Sequence, residues 1–284
     1  MKIYSISRLL SLPLILVAGY FLYLLFQPGA SNTVYIFVPV VLLVTLYIFH
    51  GQLDFWWMKR HTPPLDPKIL SWIKEYLPFY HRYTESEKRE FEKRLVLYVE
   101  ARSFQSVGSK ELRTVPFDIK NIISSQVVRL MLGHDDFLLG DMDRIYLYKH
   151  PFPTPRKQYL HTVETDTEDG MLIFSTEQGL PGIVNPSMYY NIILHGYAEA
   201  FLALYKNHKF VHIDQIGWDG LEQIQGINAN IIQRTCGIQE LDFRVVHLVA
   251  FFDFADQYAR LFPEAYKEWT IITKQKPAPY EVRH

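Results

Sequence analysis

His195 and Glu199 stand four residues apart in the run Asn191-Ile192-Ile193-Leu194-His195-Gly196-Tyr197-Ala198-Glu199. On a helix that spacing puts both side chains on one face, where an imidazole and a carboxylate are both metal-ligand types. A catalytic zinc normally takes three protein ligands, and this pair supplies two. His208 and His212 repeat the spacing with Asp214 close by, but the lysines and asparagine around them point to a solvated loop. His134-Asp135-Asp136 reads as an ordinary polar turn. Cys236 is the one cysteine of the chain, which excludes an intramolecular disulfide, CxxC redox chemistry and thiolate zinc clusters. A lone cysteine beside a glycine reads as a buried small residue. With 29 basic and 30 acidic residues, the chain has no cationic excess of the kind that tracks phosphate backbones, so nucleic acid is not an expected partner.

The elements that must position these residues are legible in part. Thr84 with Glu87 forms a capping box, and Phe91, Leu95, Tyr98 and Val99 share one face of a helix over 85–102. The run Phe117 to Leu132 is apolar all round and reads as a central core helix stopped by Gly133. Alternation over 144–148, and two runs, 158–165 and 171–175, flanking Asp169-Gly170, predict a small sheet with a hairpin. Asn185-Pro186 reads as a helix start, so the helix carrying His195 is expected from Ser187 to about Tyr205. Two further helices are expected at about 240–256 and 263–273.

Ahead of this domain lie two apolar runs, residues 9–26 and 34–49, each close to the length that spans hydrocarbon. Pro28, Gly29, Ser31 and Asn32 break them, and a turn that short joins antiparallel helices. Lys2 and Arg8 precede the first run, and Lys59 and Arg60 follow the second. The positive-inside rule then puts both termini in the cytoplasm, with Phe55, Trp56 and Trp57 as an interfacial belt. The alternative for the first run is a cleaved signal peptide, with Gly29-Ala30-Ser31 offering small residues at the cut. The proline-rich segment 61–67 links the membrane hairpin, residues 1–60, to a globular domain, residues 61–284.

Several stretches of the domain, in order, resemble the Mlc titration factor A family of zinc-dependent peptidases. They are Arg94 to Glu100 with Phe104 in the same helix, Ile119 to Gly133, Ile145 to Tyr148 with Pro151-Phe152, and Leu172 to Ser175. Asn191 to His195, and Phe251-Phe252 with Phe262 to Tyr266, complete the set, which covers roughly residues 65 to 275. The resemblance implies an α+β, zincin-like metallopeptidase domain, mostly helical with a small mixed sheet, in the cytoplasm. One helix of such a domain carries His-Glu-x-x-His, and a later helix supplies a glutamate as third zinc ligand. The first His is kept here as His195. The general-base position is Gly196, the second His is Glu199, and the third-ligand position falls on Val249.

Loss of a positioned acid/base group alone costs typically ~10²–10⁴ in rate. The expected protein is therefore membrane-anchored, cytoplasm-facing and peptidase-inactive, with no cofactor, and acts by binding or regulation. The alternative is an active zinc peptidase with a variant ligand set, in which His195, Glu199 and Asp253, one turn beyond Val249, converge on zinc; a third reading makes it a structural component of a membrane complex. Expected partners are the lipid bilayer and a cytoplasmic protein or peptide. The namesake of the family binds the repressor Mlc, which implies a regulatory partner. Leu172, Ile173, Phe174 and Ser175 are the expected peptide-binding edge strand. Gly196 reads either as drift or as close backbone packing. Were only the ligands lost, Gly196→Glu, Glu199→His and Val249→Glu together would restore a zinc site.

Overall fold

The computed structural model of the chain describes residues 5–27, 33–108, 114–224 and 228–277. The turn residues Pro28, Gly29, Ser31 and Asn32, the small-residue run 29–31 and Lys2 lie outside them. The chain forms two compact units, residues 1–63 and 64–284.

The first unit is a pair of helices, α1 (Ile6–Leu25) and α2 (Phe37–Arg60), both long and apolar enough to cross a membrane. α2 runs past the apolar stretch through His50, Asp54, Trp56 and Trp57 without a break, because no Gly-Pro signal interrupts it before the linker. Ser5 caps α1, and Asp54 of α2 closes the same end. Its carboxylate accepts the Ser7 amide at 2.8 Å and the Ser5 and Ser7 hydroxyls at 2.6 and 2.8 Å.

The second unit opens with α3 (Pro67–Tyr76), capped by Asp66, and α4 (Glu85–Ala101), whose Thr84–Glu87 capping box is complete. Strand β1 (Ser103–Val107) follows immediately. Phe104 therefore sits on a strand, not in the preceding helix; the Ser-Phe-Gln-Ser run has no apolar alternation to reveal it. α5 (Phe117–Leu130) is buried at every residue from Asn121 to Leu130, and this run includes the polar Asn121, Ser124, Ser125, Gln126 and Arg129, so the helix is central without being apolar all round.

β2 (Arg144–Tyr148), β3 (Val163–Asp166) and β4 (Met171–Ser175) complete a sheet of order β1-β2-β4-β3. β1, β2 and β4 are mutually parallel, and β3 runs antiparallel to β4 with Val163 opposite Phe174 and Asp166 opposite Met171. The sheet is mixed, and its two outer strands are β1 and β3.

Helix α6 (Thr176–Val184) follows β4 directly, and α7 (Ile192–Leu204) begins at Asn191, not at Ser187. Asn185-Pro186 opens a turn instead; Asn191 wins the cap because its side chain accepts the Leu194 amide at 3.0 Å. The remaining elements are α8 (Val211–Ile216), α9 (Ala229–Cys236), α10 (Phe243–Asp253), α11 (Ala255–Leu261) and α12 (Pro263–Thr273). α7 is the centre of the domain, in contact with α5, α6, α10, β3 and β4.

Candidate functional site

His195 lies on the first turn of α7 and is 1% exposed. Its Nδ1 is 2.8 Å from the Tyr190 hydroxyl. With the phenol donating, the ring proton sits on Nε2, which has no hydrogen-bond partner and stands 3.4 Å from Glu199 Oε1. Burial on its own would raise the Glu199 carboxyl, but attraction to His195, with smaller contributions from Thr165 and Lys157, holds it below its ordinary value. The two residues read from spacing are thus brought together, as one turn of helix dictates.

Gly196 faces the sheet. A Cβ built there would lie 2.6 Å from the Phe174 ring and 2.8 Å from Val163 Cγ2, and the Gly196 carbonyl accepts the Thr165 hydroxyl at 3.2 Å. Close backbone packing therefore accounts for the glycine. It also means that Gly196→Glu, one of the three changes expected to rebuild a zinc site, requires Phe174 and Val163 to shift. A side chain at 196 has no room while Phe174, fully buried, keeps its place.

Val249 lies on α10 at 1% exposure and lines a cavity of about 360 Å³ with Tyr190, Asn191, Ile231, Thr235 and Asp253. Asp253 is one turn further on, but its carboxylate is committed elsewhere. Arg129 Nη1 donates to Oδ1 at 2.7 Å, and Asn191 Nδ2 donates to Oδ2 at 3.1 Å. Arg129 also donates to the Phe252 carbonyl. Burial pushes the Asp253 carboxyl above its ordinary range, and Arg129 and Asn191 pull it back only in part. Asn191 joins the cap of α7, Gln126 of α5 and Asp253 of α10 through one side chain.

Leu172, Ile173, Phe174 and Ser175, expected as a peptide-holding edge, form β4, which is paired on both sides. Its main-chain groups are spent on the ladder. The edge beside α7 is β3. The hairpin signal identifies both strands, but which one lies outside depends on β2, which precedes them in the chain. An open cleft of about 440 Å³ runs past this edge, lined by Thr165, Thr167, Glu199, Lys157, Lys206 and Arg244.

The other candidates do not line the cleft. His212 and Asp214 sit on the short helix α8 and not in a loop, His208 is exposed ahead of it, and Asp214 is paired with Arg244 at 2.6 Å. His134-Asp135-Asp136 follows a turn closed by the His134 amide on the Met131 carbonyl, with both aspartates exposed and the His134 ring buried against Phe201 and Tyr205. Tyr197 packs on Tyr98 and Phe174 in the core. Sequence reasoning missed Tyr190, whose phenol orients His195, and Arg129, which neutralises Asp253; neither lies within a recognisable spacing of its partner.

A mixed sheet whose antiparallel edge strand lies along the helix bearing His195 defines a metallopeptidase-like α+β domain. Residues 54–201, just over half of the chain, match the glucose-regulated metallo-peptidase M90 family, and the chain belongs to that family. No curated protein matches the chain. Val249 and helices α8 to α12 lie beyond the matched residues.

The family's zinc does not fit the side chains in place. His195 and Glu199 offer two donors, Val249, where a third ligand was expected, is apolar, and Asp253 is held by Arg129 and Asn191. Among the described residues, no three His, Cys, Asp or Glu side chains gather where they could hold a metal ion.

Proposed function

We propose that the protein is a membrane-anchored, peptidase-inactive member of the M90 family that binds an extended peptide or protein tail along the β3 edge beside His195 and Glu199. The packing of Gly196 under Phe174 supports this reading, because a side chain at the position expected to hold a general base would meet Phe174 and Val163 unless they shift. An edge strand binds through main-chain hydrogen bonds, which outlast the loss of chemistry, and a peptide that is not cut stays bound. With both termini in the cytoplasm, capture would also concentrate the partner at the bilayer.

The test is a protein-substrate cleavage assay of the full chain in detergent, with and without chelator, alongside metal analysis. The expected result is no chelator-sensitive cleavage and substoichiometric zinc. Cleavage abolished by chelator would instead support the active-enzyme reading, which the approach of His195 Nε2 and Glu199 Oε1 to 3.4 Å favours. Topology is tested with reporters at each terminus and in the 27–33 turn. Cytoplasmic signals from both termini and an external one from the turn are expected; a C-terminal reporter active only outside overturns the orientation.

A further inference from the structure

The entrance to the β3 edge is taken by the chain itself. Thr162, the residue before β3, keeps its carbonyl in the ladder, accepting the Ser175 amide at 2.8 Å. Its own N–H turns away from β4 and donates to the Cys236 carbonyl at 2.9 Å, and its hydroxyl donates to the Thr235 carbonyl at 2.9 Å. The end of α9 thus takes one main-chain hydrogen bond, from the Thr162 N–H, that an extended peptide on an exposed edge would otherwise accept. Gly237, at φ +67°, lies so close that a Cβ would come 2.5 Å from the Leu160 carbonyl oxygen and 2.7 Å from His161 Cα.

From there α9 borders the cavity next to the site, where Ile231 and Thr235 line the same space as Tyr190 and Val249. The helix is short, eight residues, and inserts only Ile232 and Cys236 fully, while Ile231 is 55% exposed. Segments with few buried contacts open locally, without global unfolding.

We propose that Ala229–Gly237 is a displaceable strap: docked, it occupies the entrance of the β3 edge and covers the Thr162 N–H; released, it surrenders that N–H to an incoming peptide. This rests on the peptide-binding reading for its purpose, but the opening itself is measurable without any peptide. Cys236, the sole cysteine, is on the strap itself and fully buried while it is docked, so thiol labelling reports release.

The experiment labels the full chain in detergent with a thiol reagent in excess, across urea concentrations below the unfolding transition. Opening of the strap alone gives a slow rate nearly independent of urea. Thr162→Val, which removes the hydroxyl bond to Thr235 and keeps the amide, is expected to raise that rate roughly two- to tenfold, the weight of one hydrogen bond. Gly237→Ala should raise it further, and if that variant does not fold, Thr162→Val carries the test. A labelling rate that climbs with urea in step with global unfolding, or one unchanged in Thr162→Val, overturns the strap. Either result leaves the peptide reading standing, since peptide capture is measured separately.

Discussion

The Phe174 ring stands 2.6 Å from where a Cβ on residue 196 would lie, so the glycine of α7 and the phenylalanine of β4 form a matched pair. Their fit fixes how closely the helix approaches the sheet. Gly196→Ala gains about 1 kcal/mol of helix propensity. It should still lower stability, because overpacking a dense core costs typically about 1–3 kcal/mol. Urea midpoints test this, and Phe174→Leu in the same background should return part of the loss. An alanine variant as stable as the parent would show that the contact relaxes freely. The triple change Gly196→Glu, Glu199→His and Val249→Glu should bind zinc no better than the parent unless Phe174 is also reduced.

Arg129 and Asp253 form a buried ion pair bridging α5 and α10, with side-chain exposures of 9% and 2%. Arg129→Met leaves an uncompensated carboxylate and should cost about 3–5 kcal/mol. Arg129→Met with Asp253→Leu should cost much less than the sum of the single changes, as a double-mutant cycle would measure. Additive losses would show that the pair is uncoupled.

His247 predicts an acid limb. Trp269 Nε1 donates to the Tyr258 hydroxyl at 3.1 Å, the phenol then donates to His247 Nδ1 at 2.7 Å, and Nε2 donates to the Gly217 carbonyl at 2.8 Å. Burial holds the imidazole below its ordinary value, only partly offset by the bond to Gly217. The unfolded chain therefore takes up a proton near pH 6.5 that the folded chain refuses. Stability is full above that pH and falls as pH drops below it, by at most about 1.4 kcal/mol per pH unit from this group, until the folded value is reached. His134, also held low by burial, acts in the same direction. His247→Gln should flatten part of the slope in a pH series of urea midpoints; an unchanged slope removes His247 from the account.

Asp54 fastens the open end of the α1–α2 pair through the Ser5 and Ser7 hydroxyls and the Ser7 amide. Asp54→Ala removes the shared acceptor and should destabilise the pair by about 1–3 kcal/mol. Limited proteolysis near residue 5 in detergent should quicken, while the unfolding midpoint of the 64–284 unit stays put. Unchanged proteolysis would show that the clasp holds nothing.

What the sequence determined by itself is local. The Thr84–Glu87 capping box, the two apolar helices, the buried α5, the Asp169-Gly170 hairpin and the His195–Glu199 pairing are each set by residues within a few positions of one another. The order of the M90 segments adds the family. Tertiary structure decided what depends on distant partners. β1 is a strand because β2 pairs with it, 41 residues away in register (Ser103 with Arg144). β4 is interior and β3 is the edge because β2 takes the other side of β4. Asp253 is a structural charge because Arg129 reaches it across 124 positions. Asn191 caps α7 through the Leu194 amide, and Gln126 and Asp253, distant in the chain, hold that side chain in place. Hydrogen bonds and ring contacts between segments far apart in the chain leave no periodicity to read, so only the folded chain discloses them.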